Sequence, residues 1–175
     1  MTCESMLGLD ELFDYKNQLM NDMLTNPEIV RLLSDDCVTT SNPESLMYTQ
    51  VFPCEYVPDV VEHGKTFICC EVDIKEVIDK TFLTPTLYVW VFTHKSLVRL
   101  PEGGLRTDKL SSEIVKAING SRMYGLGELN LYSAKRFSPI TNYQGRTLTF
   151  EAKDFNRISP TGMPVPANRK HGRRV

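Results

Sequence analysis

Thr86-Leu87-Tyr88-Val89-Trp90-Val91-Phe92-Thr93-His94 is the stretch whose reading decides the fold. Successive side chains of a strand point to opposite faces, and here both alternating sets are apolar. Leu87, Val89 and Val91 fall on one side, Tyr88, Trp90 and Phe92 on the other, so the spacing predicts a strand covered on both faces. Just upstream, Ile68, Cys70, Val72 and Ile74 alternate with Cys69, Glu71, Asp73 and Lys75, which predicts a neighbouring strand with one buried face. Downstream, Gly103-Gly104 breaks the chain and Thr107 is a candidate cap. Leu110, Ile114, Ala117 and Ile118 then recur at helical spacing until Asn119-Gly120 closes a helix over 108–119. Beyond Gly125-Leu126-Gly127, two further strands are expected. One is at Leu129-Asn130-Leu131-Tyr132; in the other, Leu148, Phe150 and Ala152 alternate with Thr147, Thr149 and Glu151. A connection at Ser138-Pro139 and a turn around Tyr143-Gln144-Gly145 join them.

Toward the N-terminus, Leu9, Leu12, Phe13, Leu19, Met20, Met23 and Leu24 make one apolar stripe on a helix over 9–24. Asn26-Pro27-Glu28 supplies a cap, a proline suited to the first helical position and an acid at the positive helix end, starting a second helix that runs to about Ser34. From 35 to 65 no period is sustained, and an irregular stretch of that length is usually functional. The order predicts an α+β fold: a mainly antiparallel four-stranded sheet with helices packed on one face, a long loop in the N-terminal half and an extended C-terminal arm. A single domain is expected over 1–155, with the basic arm over 156–175.

Composition narrows the function classes. At 175 residues and 20.0 kDa, with 41% hydrophobic and 24% charged residues, the chain has the makings of one globular core. Its longest apolar runs are a few residues, far below the ~20 that cross a bilayer as a helix. Met1-Thr2-Cys3-Glu4-Ser5-Met6 lacks the basic and apolar regions of a secretion signal, and the five cysteines are odd in number and scattered, so intracellular synthesis and reduced thiols are expected. The net charge of −2 is uneven. Arg157, Arg169, Lys170, Arg173 and Arg174 face no acid after residue 154, which leaves −7 on the rest of the chain.

Chemical motifs are sparse. Neither Gly103-Gly104-Leu105-Arg106-Thr107-Asp108-Lys109 nor Gly125-Leu126-Gly127 has the spacing of a phosphate-binding loop. Cys69 and Cys70 are adjacent and point to opposite faces of a strand, and His63, His94 and His171 lie far apart, so no metal ligand set, cofactor or catalytic residue is assigned. Pro58-Asp59 with Asp73-Ile74-Lys75 has the residue types of a Mg²⁺-dependent nuclease, two carboxylates for the ion and a lysine beside the attacking water. The same residues also suit the polar face of a half-buried strand. In the arm, Arg169, Lys170, Arg173 and Arg174 are candidates for contact with DNA phosphates or with an acidic neighbouring subunit, or for a solvated tail. Tyr88, Trp90 and Phe92, with Phe52 and Tyr56 of the loop, offer more apolar surface than helices on one face readily cover. They are the candidate subunit interface, unless the loop folds back over the aromatic face within one subunit.

The run from Leu87 to His94, then Glu102-Gly103-Gly104-Leu105-Arg106-Thr107-Asp108, Gly125-Leu126-Gly127-Glu128-Leu129, Tyr143-Gln144-Gly145-Arg146 and Asp154-Phe155-Asn156-Arg157, resembles small virion proteins of the phage neck, over residues 50 to 157. The overall plan is similar to that of the tail terminator proteins of tailed bacteriophages, also called tail-completion or head–tail joining proteins. The resemblance implies a non-enzymatic virion protein, synthesised in the host cytoplasm, that forms a ring, usually hexameric. Such a ring caps the tail tube, ends its elongation and docks to the head–tail connector or stopper protein, with DNA passing through the lumen and no membrane involved. No residue-level role carries over. The 35–65 loop and basic arm are long for the smallest members, which leaves a related neck or connector role open. The alternatives from other classes are the Mg²⁺-dependent nuclease, of the restriction-endonuclease-like superfamily, and a non-enzymatic adaptor module.

Overall fold

Helix α1 (Asp10–Thr25) and helix α2 (Pro27–Leu33) open the computed structural model, which describes residues 10–34, 42–56, 64–78 and 81–156. Between the two helices, Asn26 Oδ1 accepts hydrogen bonds from the backbone N–H groups of Glu28 and Ile29 at 3.0 and 3.2 Å, satisfying donors that have no partner inside the helix. A 3₁₀ turn at Pro43–Leu46 leads to strand β1 (Val51–Phe52), followed by β2 (Thr66–Ile78) and β3 (Phe82–His94). Helix α3 (Arg106–Ile118), β4 (Asn130–Phe137), β5 (Tyr143–Glu151) and β6 (Asp154–Phe155) complete the described chain.

The α+β class stands, but the sheet is larger than expected and mixed. Its order is β1-β2-β3-β5-β4, with β6 pairing the start of β3, so six strands replace the four predicted. β1 runs parallel to β2 and every other pairing is antiparallel. The two extra strands are each two residues long, too short to carry any periodic signal.

Two local expectations are also corrected. Tyr143-Gln144-Gly145 is not a turn but the start of β5; the reversal lies earlier, within 138–142. Gly145 marks close backbone approach, since a Cβ there would sit 1.7 Å from Val91 O. The N-cap of α3 is Leu105, with no side-chain hydrogen bond, and Thr107 lies buried in the first turn. The expected C-cap holds, with Gly120 at φ 82°. Of the long loop, 35–41 and 57–63 lie outside the described residues, as do residues 1–9 and all of the arm from 157.

The three helices share one face of the sheet. Ile68, Cys70, Val72, Leu87, Val89, Val91, Leu148 and Phe150 form the sheet side of the main core, packed with apolar residues of α1, α2 and α3. Each such side chain taken fully from water contributes about 1.5–3 kcal/mol of transfer free energy. Buried polar groups lock the layers. Tyr124 donates to Asp22 at 2.6 Å, Tyr15 donates to Asp154 at 2.5 Å, and the buried Arg106 guanidinium donates to the carbonyls of Leu32 and Leu97. No described helix is long and apolar enough to cross a membrane.

Candidate functional site

The face of the sheet turned away from the helices divides into an aromatic half and a polar half. In the aromatic half, Phe67, Cys69, Phe92 and Tyr143 are buried, with Phe52, Tyr56, Trp90, Phe137 and Ile140 packed against them. Phe67 is central, 5.4 Å from both Tyr56 and Phe92 and 5.9 Å from Tyr143. Tyr56 stacks on Phe52 with centroids 4.1 Å apart. Four of the five candidate interface residues, Phe52, Tyr56, Trp90 and Phe92, thus belong to one cluster inside one chain, the loop residues reaching Phe92 through Phe67. Tyr88 and Trp90 stack on each other at 5.8 Å and stay half-buried among the described residues. Phe52 and Tyr56 are exposed to a similar intermediate degree, and Phe92 alone of the five is buried.

In the polar half, Lys75 pairs with Glu151 at 2.8 Å and lies over the Tyr132 ring, 4.7 Å from its centroid. The Glu151 carboxylate holds the lysine in its charged form, raising its pKa, so Lys75 is a poor proton acceptor at neutral pH. Asp73 is exposed one bulge away, and Asp59, the other carboxylate of the nuclease pattern, lies outside the described residues. Among the described residues, no three His, Cys, Asp or Glu side chains are grouped to hold a metal ion.

The adjacent thiols behave as the sequence predicts. Cys70 points into the helix-covered core and Cys69 into the aromatic cluster, and burial pushes the Cys69 thiol up to about 12 and raises Cys70 as well. His94 packs edge-on to Tyr143 and bonds Ser96 through Nδ1 at 2.7 Å, a structural role, while His63 and His171 lie outside the described residues.

Residues 26–152 match the model of the YomW family. The chain belongs to that family. YomW proteins are phage-derived, of a Bacillus prophage type, so this chain is a bacteriophage-related protein. No curated protein matches it. The YomW match runs from the cap of α2 to the end of β5, spanning both halves of the open face. It leaves out α1, although Leu19, Met20, Met23 and Leu24 of that helix belong to the core of this YomW protein. It also leaves out Arg169, Lys170, Arg173 and Arg174, which lie outside the described residues.

Sequence reasoning missed the edges of the YomW sheet. β4 is the last strand on one side, and on the other side β1 pairs β2 only at Ile68 and Cys69, leaving its second half without a described neighbour. A signal was available: Asn130–Phe137 carries Lys135 and Arg136 and no acid, and the charge run of a lone edge strand differs from that of a covered one.

Proposed function

We propose that this chain is a structural virion protein of the phage neck. Copies form a ring, six by the tail terminator resemblance, that caps the tail tube, stops its elongation and joins the tail to the head connector, with DNA passing through the lumen. The observation that carries the reading is the half-buried Tyr88–Trp90 stack on a face without helices, in a chain of a phage-derived family. Tyrosine and tryptophan bring large, rigid contact area and are enriched where proteins meet. A head-to-tail contact repeated around an axis closes into a ring. The basic residues Arg169, Lys170, Arg173 and Arg174 supply charge for DNA in the lumen or for the acidic body of a neighbour.

Native mass spectrometry over a range of concentrations, with and without Mg²⁺, tests the ring. A discrete closed oligomer supports it; a monomer throughout, with Mg²⁺-dependent DNA cleavage lost in Asp73→Ala, replaces it with the nuclease. The terminator role is read from tail tubes growing in vitro, whose lengths should stop increasing once the protein is added. Continued elongation with the ring in place points to another neck position. Deleting 167–175 should weaken duplex DNA binding and flatten its salt dependence, and unchanged binding removes DNA from the partners of the arm.

A further inference from the structure

The two open edges of the sheet fit each other. Strand directions alternate from β2 through β3 and β5 to β4, so β4 of one copy laid beside β2 of a second copy in the same sheet orientation runs antiparallel to it. Each edge has one bulge, between Ile74 and Glu76 on β2 and between Leu131 and Ser133 on β4. One register lays the bulged residues Lys75 and Glu76 opposite Ser133 and Tyr132, and it sets Ile74 opposite Ala134, Asp73 opposite Lys135 and Val77 opposite Leu131.

Several independent properties agree with that register. Paired residues share a face: Asp73 and Lys135 both belong to the face away from the helices, through their ladder partners Thr86 and Thr147, which alternate with Leu87 and Leu148 of the core. The backbone phase matches as well. Val72 N–H and Leu131 N–H already point off the sheet, to Glu71 Oε1 and Asn119 Oδ1, so alternation turns Ile74 N–H outward on β2 and Ala134 and Arg136 N–H outward on β4. Charge is complementary, since Asp73 and Glu76 on one edge and Lys135 and Arg136 on the other enter none of the ion pairs among the described residues. Val77 and Leu131, 49% and 38% exposed, would cover each other.

We infer that copies of this chain join edge to edge, β4 of one pairing antiparallel with residues 72–78 of β2 in the next. The partner is a second copy, and the contact is head-to-tail, the kind that closes into rings. This inference rests on the ring reading and places the subunit seam at the sheet edges, beside the Tyr88–Trp90 face rather than on it. Glu71 and Asn119 act as temporary caps on the two ends of the seam. The central pair, Ile74 and Ala134, forms the first intersubunit hydrogen bonds.

Ala134→Pro tests the seam on the full-length protein. It removes an outward N–H from an edge strand while leaving the β4–β5 ladder its donors, so the fold, followed by circular dichroism, is expected to survive. Self-association by sedimentation velocity should weaken about tenfold or more. Asp73→Lys and Lys135→Glu should each weaken it, and the double swap should recover most of the loss. A wild-type oligomer that all three single variants leave intact overturns edge pairing while the ring stands on another surface. A wild-type chain that stays monomeric at every concentration overturns the ring reading and the seam together.

Discussion

Leu87, Val89 and Val91 are wholly inaccessible, whereas Tyr88 and Trp90, their immediate neighbours on the same strand, are half-buried. The two sets are equally apolar in sequence. What separates them is the cover: three helices lie over the first set, and a patch of aromatic rings that stops short of Tyr88 lies over part of the second. Alternation therefore reports that a face seeks burial, and the covering element must be found elsewhere in the chain.

The comparison predicts a descending series of effects. Phe150→Ala, in the helix-covered face, should cost about 3–5 kcal/mol in urea unfolding, because that layer has no slack to close the cavity. A loss below about 1 kcal/mol would erase the distinction between the faces. Gly145→Ala, between Phe92 and Phe137 on the other face, should cost about 1–3 kcal/mol, since the added methyl meets the Val91 carbonyl rather than a movable side chain. Trp90→Ala should cost the isolated subunit only about 1–2 kcal/mol, as its side chain sits at the rim of the aromatic cluster and is only partly buried. If association drops much further than stability does, the stack is an interface; if stability alone falls, it is merely a rim of the aromatic cluster.

Alkaline titration separates the layers by another route. Burial, reinforced by the Asp22 carboxylate that accepts its hydroxyl proton, raises Tyr124 above its ordinary value near 10. The folded state holds this proton more tightly than the unfolded state, so the stabilisation is complete below about pH 10 and is lost as pH climbs past it. Tyr124→Phe should flatten that part of the stability–pH curve, and an unchanged slope would assign it to other groups. The smallest effect is expected at the Arg146–Asp108 pair, 2.6 Å apart but with both side chains well exposed, where Asp108→Asn should change stability by no more than about 0.5 kcal/mol and less in high salt.

Much of the architecture was legible. Helix α2 announces itself through Asn26-Pro27-Glu28, and β2 and β3 through long alternations that the structure extends rather than moves. The missing parts share a physical cause. β1 and β6 exist because longer strands offer them hydrogen-bonding partners, and two residues have no preference strong enough to show beforehand. Gly145 was misread because glycine serves both turns and close backbone approach, and only the neighbouring strand tells which. At the candidate site, Trp90 and Tyr56 stood out as aromatic residues in unusual places, but Phe67, the centre of their cluster, looked like any strand residue. The Asp73 and Lys135 pairing was invisible, because it depends on strand order and on bulges that only the ladder reveals.

Cys69 and Cys70 are consecutive residues sealed beneath different layers. Each thiol reacts with a small alkylating reagent only when its own layer opens, so the pair forms a built-in two-channel clock of local unfolding, read by mass spectrometry without any mutation. Equal rates mean the molecule opens only as a whole. Faster modification of Cys69 means the aromatic layer breathes on its own while the helices stay docked.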